Sequence, residues 1–152
     1  MQSAYLEPWL QFSHPIVRQL GFAIASPNVL SALPSDLKLT HDFALHRDEI
    51  WQQHFEDYLP RLCELDHNPT PLLDFVAQLK STRLGLRFEM LIWFWLQDSA
   101  YHPYELLGHS IQIIDGKHTL GELDFLIYHR DLKRIEHWEI ALKYYLAEAD
   151  YR

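Results

Sequence analysis

After Pro103 the hydrophobic pattern of this chain changes period. Before it, apolar residues recur every three or four positions; after it, they alternate. HSIQII (109 to 114), the turn signal Asp115-Gly116, TLGELDFLIY (119 to 128), a turn through Arg130 to Arg134, and IEHWEIALKYYL (135 to 146) predict three strands in an antiparallel meander. A chain that passes once from helices to a meander is expected to fold as α+β, an α/β sandwich in which helices cover a sheet.

The first eighty residues read as helical, punctuated by SALPSD (31 to 36) and HNPTP (67 to 71), both rich in helix-stopping residues. The spacing predicts a helix that opens at His14-Pro15, runs through Gly21 to Ala25 and ends near Ser26-Pro27. It predicts another from Asp48 to Leu59, with Ile50, Trp51, Phe55, Tyr58 and Leu59 at helical intervals. Trp51, Phe55 and Tyr58 read as core rather than as a ligand box. A third helical stretch covers Pro71 to Gln97, with a break near Ser81-Thr82 where Thr82 caps a segment beginning at Arg83. The expected organisation is a helical part over 1–80 and an αβββ core over 81–152, joined as one continuous domain.

A hydrophobic fraction of 48% with 14% aromatic residues argues against disorder. Cys63 is alone and has no internal disulfide partner, and MQSAYLEPWLQF lacks the basic stretch and long apolar core of a secretory signal. The most apolar run, MLIWFWL, is far shorter than the roughly 18 to 20 residues of a membrane span. The expectation is a cytoplasmic protein with no membrane segment. A net charge of −8 speaks against a surface that holds nucleic acid by bulk electrostatics. Residues 81–152 carry 8 Lys or Arg and 11 Asp or Glu, so three metal-bound carboxylates account for the whole excess there. The ten histidines are scattered without metal-ligand spacing, which argues against structural zinc.

Glu89 sits on the second half of the third helical stretch, with Gly85 four residues before it and Ile92 and Trp93 after it. A carboxylate in such company needs a partner. Arg83 or Arg87 of the same helix is one option and a ligand across the fold is another. In the hairpin, a turn centred between Asp131 and Leu132 pairs Tyr128 with Ile135, Asp124 with Glu139 and Leu120 with Lys143. Directly opposed residues share a face about 4.5 to 5.5 Å apart, so the two carboxylates repel unless a cation lies between them. Lys143 is about 13 Å along the strand from Glu139 and reaches more naturally towards Glu122. A hard divalent ion such as Mg²⁺ accepts this donor set better, with Glu89 as third carboxylate if its helix crosses the same face. A solvated face carrying Glu122, Asp124, His137, Glu139 and Lys143 is the competing reading, and residue types alone weigh the two equally. The opposite face, Gly121, Leu123, Phe125 and Ile127 against Trp138, Ile140, Leu142, Tyr144 and Leu146, reads as core.

GELDFL and HWEIALK together resemble the PD-(D/E)XK nuclease superfamily, whose restriction-endonuclease-like core places an acid on a helix, an Asp on the second strand of a meander, and an acid and a lysine on the third. SHPIVRQLGFAIASPNVL, RLGLRFEML, TLGELDFLI and HWEIALKYYL are similar, more closely, to a bacterial family catalogued as domain of unknown function 1853. The resemblance implies a Mg²⁺-dependent or Mn²⁺-dependent nuclease, a hydrolase of phosphodiester bonds acting on nucleic acid, DNA by the habit of the superfamily. It makes Glu89 the helix acid, Asp124 the central metal ligand, Glu139 the second ligand and Lys143 the lysine that positions or activates water. The usual lysine lies two residues after the acid, where this chain has Ala141. Lys143 keeps the same face by alternation, about 6.6 Å further on. The superfamily core also continues with another helix and strand, whereas few residues follow Leu146. The expectation is a fragment of a longer protein, or an open third-strand edge covered by a partner subunit in a homo-oligomer. The alternatives are a nuclease-like module that binds nucleic acid or protein without cutting, which the displaced lysine and acidic surface favour, and a helical interaction module in residues 1–80.

Overall fold

The computed structural model describes residues 7–30, 32–38, 40 and 44–142. A short 3-10 turn, Pro8–Gln11, precedes α1 (Pro15–Ala25), α2 (Asp48–His67), α3 (Thr70–Val76) and α4 (Leu84–Gln97). Then come β1 (Tyr104–Asp115), β2 (His118–His129) and β3 (Arg134–Trp138), an antiparallel sheet in the order β1-β2-β3. The fold is α+β, as the change of period at Pro103 requires.

Local chemistry sets α1 as expected. Pro15 occupies the first turn, where a missing N–H costs nothing, and the His14 ring accepts the Ile16 N–H at 3.3 Å. The Asp66 carboxylate, near the end of α2, takes the N–H groups of Ser13 and His14 at 2.9 and 2.7 Å, and these bonds hold it below the usual carboxylate range. The start of α1 is thereby pinned to the end of α2. Gly21 permits the closest approach in this layer, because a Cβ there would lie 2.9 Å from that of Trp9.

Two helix boundaries differ from expectation. α2 does not stop at Leu59 but runs through Pro60 to His67. Proline costs a helix interior about 3 kcal/mol or more, and the extra turns offset this by burying Leu62 and Leu65 almost completely. The break before α4 is also longer than a kink at Ser81-Thr82. The N-cap is Arg83, without a side-chain cap, so Thr82 does not cap the helix.

One hydrophobic core joins both parts of the chain, from Trp9 and Leu20 through Tyr58, Leu62 and Trp95 to Tyr104, Phe125 and Ile127. Trp51, Phe55 and Tyr58 belong to it or pack on it. His54 of α2 is buried and bonds the Tyr104 hydroxyl of β1 at 2.9 Å through Nε2. His102 is buried with Nε2 on the Trp95 carbonyl at 3.0 Å. The Arg130 guanidinium, in the β2–β3 turn, donates to the carbonyls of Ser99 and His102 at 2.8 and 2.5 Å, tying that turn to the segment after α4. No described helix is long and apolar enough to cross a membrane.

Candidate metal centre

The hairpin register follows the expected pairing. Tyr128 faces Ile135, Ile127 faces Glu136 and Phe125 faces Trp138. The inward face is core, with Phe125 and Ile127 fully buried and Trp138 and Ile140 packed against them. β3 ends at Trp138, however, where strand had been expected to residue 146. Asp124 is part of the reason. Its Oδ2 accepts the Ile140 N–H at 2.8 Å, so a side chain takes the hydrogen bond that a continuing ladder would have used. Residues 139–142 lie outside the strand. Lys143, with Tyr144 and Leu146, lies outside the described residues, and so does its suggested contact with Glu122.

The β2–β3 ladder therefore stops one step before Asp124 and Glu139. The next pair beyond Phe125 and Trp138 would be these two acids, and the Asp124 carboxylate reaches the residue that follows Glu139. Glu139 is exposed, its Oε1 hydrogen-bonded to Nε2 of the exposed His137. Glu122 is exposed and faces Gln112 across β1.

Glu89 is engaged elsewhere. Its Oε1 lies 2.7 Å from Nε2 of His109 on β1, and the His109 ring stacks on Trp93 of α4 with centroids 4.0 Å apart. Neither helix arginine considered from the sequence is the partner; Arg87 instead donates to Gln19 at 2.8 Å. The other side of the His109 ring packs 4.9 Å from Phe125, its direct cross-strand neighbour. Successive side chains alternate across a sheet. Asp124 thus leaves β2 on the face opposite Phe125, and the sheet lies between it and Glu89.

α4 covers the apolar face because Phe125 and Ile127 must be buried. That choice carries Glu89 away from the two strand acids. Among the described residues, no group of three or more His, Cys, Asp or Glu side chains is arranged to hold a metal ion. The structure places Asp124 and Glu139 one step beyond the last β2–β3 pair, with the Asp124 carboxylate on the Ile140 N–H, the Glu139 carboxylate on His137 and the Glu89 carboxylate on His109. Two carboxylates still supply hard oxygen donors, and Mg²⁺ commonly takes only one or two from protein, with water and phosphate filling its remaining positions. Asp124 and Glu139 are donors of that kind, while the Glu89 carboxylate is engaged by His109.

His109 is the residue that sequence reasoning passed over. Its signal was present: it begins the alternating run His109, Ile111, Ile113, which puts it on the apolar face of β1, where a polar ring needs a partner. Glu136 is a second such residue. It alternates inward on β3 beside Trp138, accepts that indole N–H at 2.9 Å and pairs with Arg134 at 2.8 Å. These bonds hold its carboxyl below the usual range although burial alone pushes it up.

An α+β fold in which α2 and α4 pack on one face of a three-stranded antiparallel meander defines the class of this protein. Residues 18–152 match the family model described as Domain of unknown function (DUF1853), and the chain belongs to that family. A search of curated proteins and a search of solved structures each found no match.

Proposed function

We propose that this chain carries the metal-binding part of a nuclease of the PD-(D/E)XK type, hydrolysing phosphodiester bonds of nucleic acid, with DNA the expected substrate. What supports the reading is that the β2–β3 ladder stops at Phe125 and Trp138, one step before Asp124 and Glu139, with the Asp124 carboxylate on the N–H of the residue after Glu139. Asp124 and Glu139 are the residues to hold Mg²⁺ or Mn²⁺. The ion, when bound, supplies positive charge for the phosphate and lowers the pKa of a coordinated water. Lys143 is the lysine for that water, as the superfamily pattern suggests. Glu89 serves in this reading as the carboxylate that locks α4 to β1 through His109, and not as a direct ligand.

Calorimetric titration of Mg²⁺ or Mn²⁺ tests the site. Saturable heat in the wild type and in Glu89→Gln, lost in Asp124→Ala and in Glu139→Ala, is the expected pattern. Equal heats in all four proteins remove the proposal. Cleavage of single-stranded, double-stranded and branched DNA and RNA, lost in Glu139→Ala and Lys143→Ala, then tests catalysis.

A second reading, a nuclease-like module that binds nucleic acid or protein without cutting, is favoured by one observation. The helix acid is already paired with His109 on the far side of the sheet. Metal-independent binding without cleavage by any of these proteins is its signature.

A further inference from the structure

We propose that His46 is a proton-operated latch, holding the segment 44–47 against β3 at neutral pH and releasing it on acidification. The inference does not depend on the nuclease reading. His46 lies just before α2, and the foot of its segment is stapled to the chain beyond α1. The Asn28 amide donates to the His46 carbonyl at 2.5 Å, and the Asn28 N–H donates to Oδ1 of Asp48 at 3.1 Å. From there the ring reaches in among three aromatic side chains on three different elements. Trp51 of α2 is 5.4 Å away between centroids, Tyr104 of β1 stacks at 6.4 Å, and Trp138 of β3 meets the ring edge to face at 5.2 Å.

The two ring nitrogens are treated differently. Nε2 is 3.4 Å from Oε2 of Glu136, the inward acid of β3. Nδ1 is buried and has no hydrogen-bond partner among the described residues. A neutral imidazole protonated on Nε2 suits both positions, because it donates once and leaves Nδ1 without a proton. An imidazolium must donate from both. The docked ring offers its second N–H only to a site with no acceptor, so the proton and the docked position exclude one another.

The surrounding charges do not reverse this. Glu136 favours the protonated ring, while Arg134 beside it on β3 and His129 on β2 oppose it. His54 of α2 lies close enough to disfavour a second charge, and Asp48 is occupied by the Asn28 N–H. Burial is the largest influence and holds His46 below the ordinary histidine value despite Glu136. Docking selects the neutral ring, and by linkage a falling pH selects release. Release uncovers faces of Trp51, Tyr104 and Trp138. It also leaves Glu136 with Arg134 and the Trp138 indole alone.

The Trp138 indole N–H, which donates to Glu136, is the natural reporter. Its NMR resonance, that of Trp51 and the His46 ring protons can be followed in the full chain from about pH 8 to about pH 5, spanning the histidine range. Far-UV circular dichroism over the same points separates latch release from unfolding of the whole chain. The expected result is a Trp138 shift with the same midpoint as His46, and loss of that shift in His46→Phe, which keeps a ring but not the proton. In Glu136→Gln the charge that opposes release is gone, so a larger fraction opens at a given acidic pH. Asn28→Ala, which loosens the foot without touching the ring, opens more at every pH. A Trp138 resonance that stays fixed while His46 titrates overturns the latch. So does an unchanged shift in His46→Phe.

Discussion

The β1–β2 ribbon has two halves that share one pairing direction and differ in almost everything else. Near the helices, Tyr104, Phe125 and Ile127 are about as buried as residues become. Beyond Ile111, every residue from Gln112 to Glu122 is exposed, and Leu120 keeps 67% of its surface. Each half carries one register break, the packed half where Leu107 is skipped and the outer half where Leu120 is skipped. Alternation alone does not bury a strand. Phe125 is in the core with His109 against it, and His109 is in turn stacked on Trp93 of α4, whereas the outer half is exposed from Gln112 to Glu122. A ribbon of two strands without a covering layer is marginal in water, so the packed half carries the stability and the outer half follows it.

The packed half is the more sensitive to substitution. Phe125→Ala removes a fully buried ring that touches His109, and should cost about 3 to 5 kcal/mol in denaturant unfolding. A loss below about 1 kcal/mol would mean that the packed half is no better supported than the outer one.

Acid should act on the same half. Burial lowers His54 to about 4, and it also lowers His102 and His46. A histidine whose folded value lies below the unfolded 6.5 binds its proton more tightly when unfolded. Its stabilisation is complete above pH 6.5 and is lost as pH falls towards the folded value. Between pH 7 and pH 4, His54 alone should account for roughly 3 kcal/mol, at 1.36 kcal/mol per unit. His54→Phe should flatten part of that slope, measured by thermal unfolding across pH.

At the outer half the expected effects are smaller and local. Gly116 sits at the hairpin tip with φ of 61°, where an L side chain is strained. Gly116→Ala should cost about 1 to 2 kcal/mol, read as faster amide exchange confined to residues 112–122. Ile114→Ala, at a 61% exposed position, should change global stability by no more than about 0.5 kcal/mol. A larger effect there would show that the outer ribbon is covered in solution.

The legible parts of this fold are the local ones. The start and end of α1, the start of α2, the Asp115-Gly116 turn and the pairing of Tyr128 with Ile135 all depend on residues within a few positions of each other. Capping groups, φ preferences and alternation are written there directly. The end of α2 was not legible, because a proline penalty is local while the burial of Leu62 and Leu65 that outweighs it is not. Glu89 misled for the same reason: its partner, His109, is 20 residues away, beyond the reach of any helical spacing.

Sequence alone determined the α+β class, the order of the elements and the β2–β3 register as far as Phe125 and Trp138, because each follows from neighbours along the chain or across one short turn. Only the tertiary structure decided which face of the sheet α4 covers. Burying Phe125 and Ile127 sets that face. That packing sends Glu89 to His109 and seats His46 among three rings from three elements.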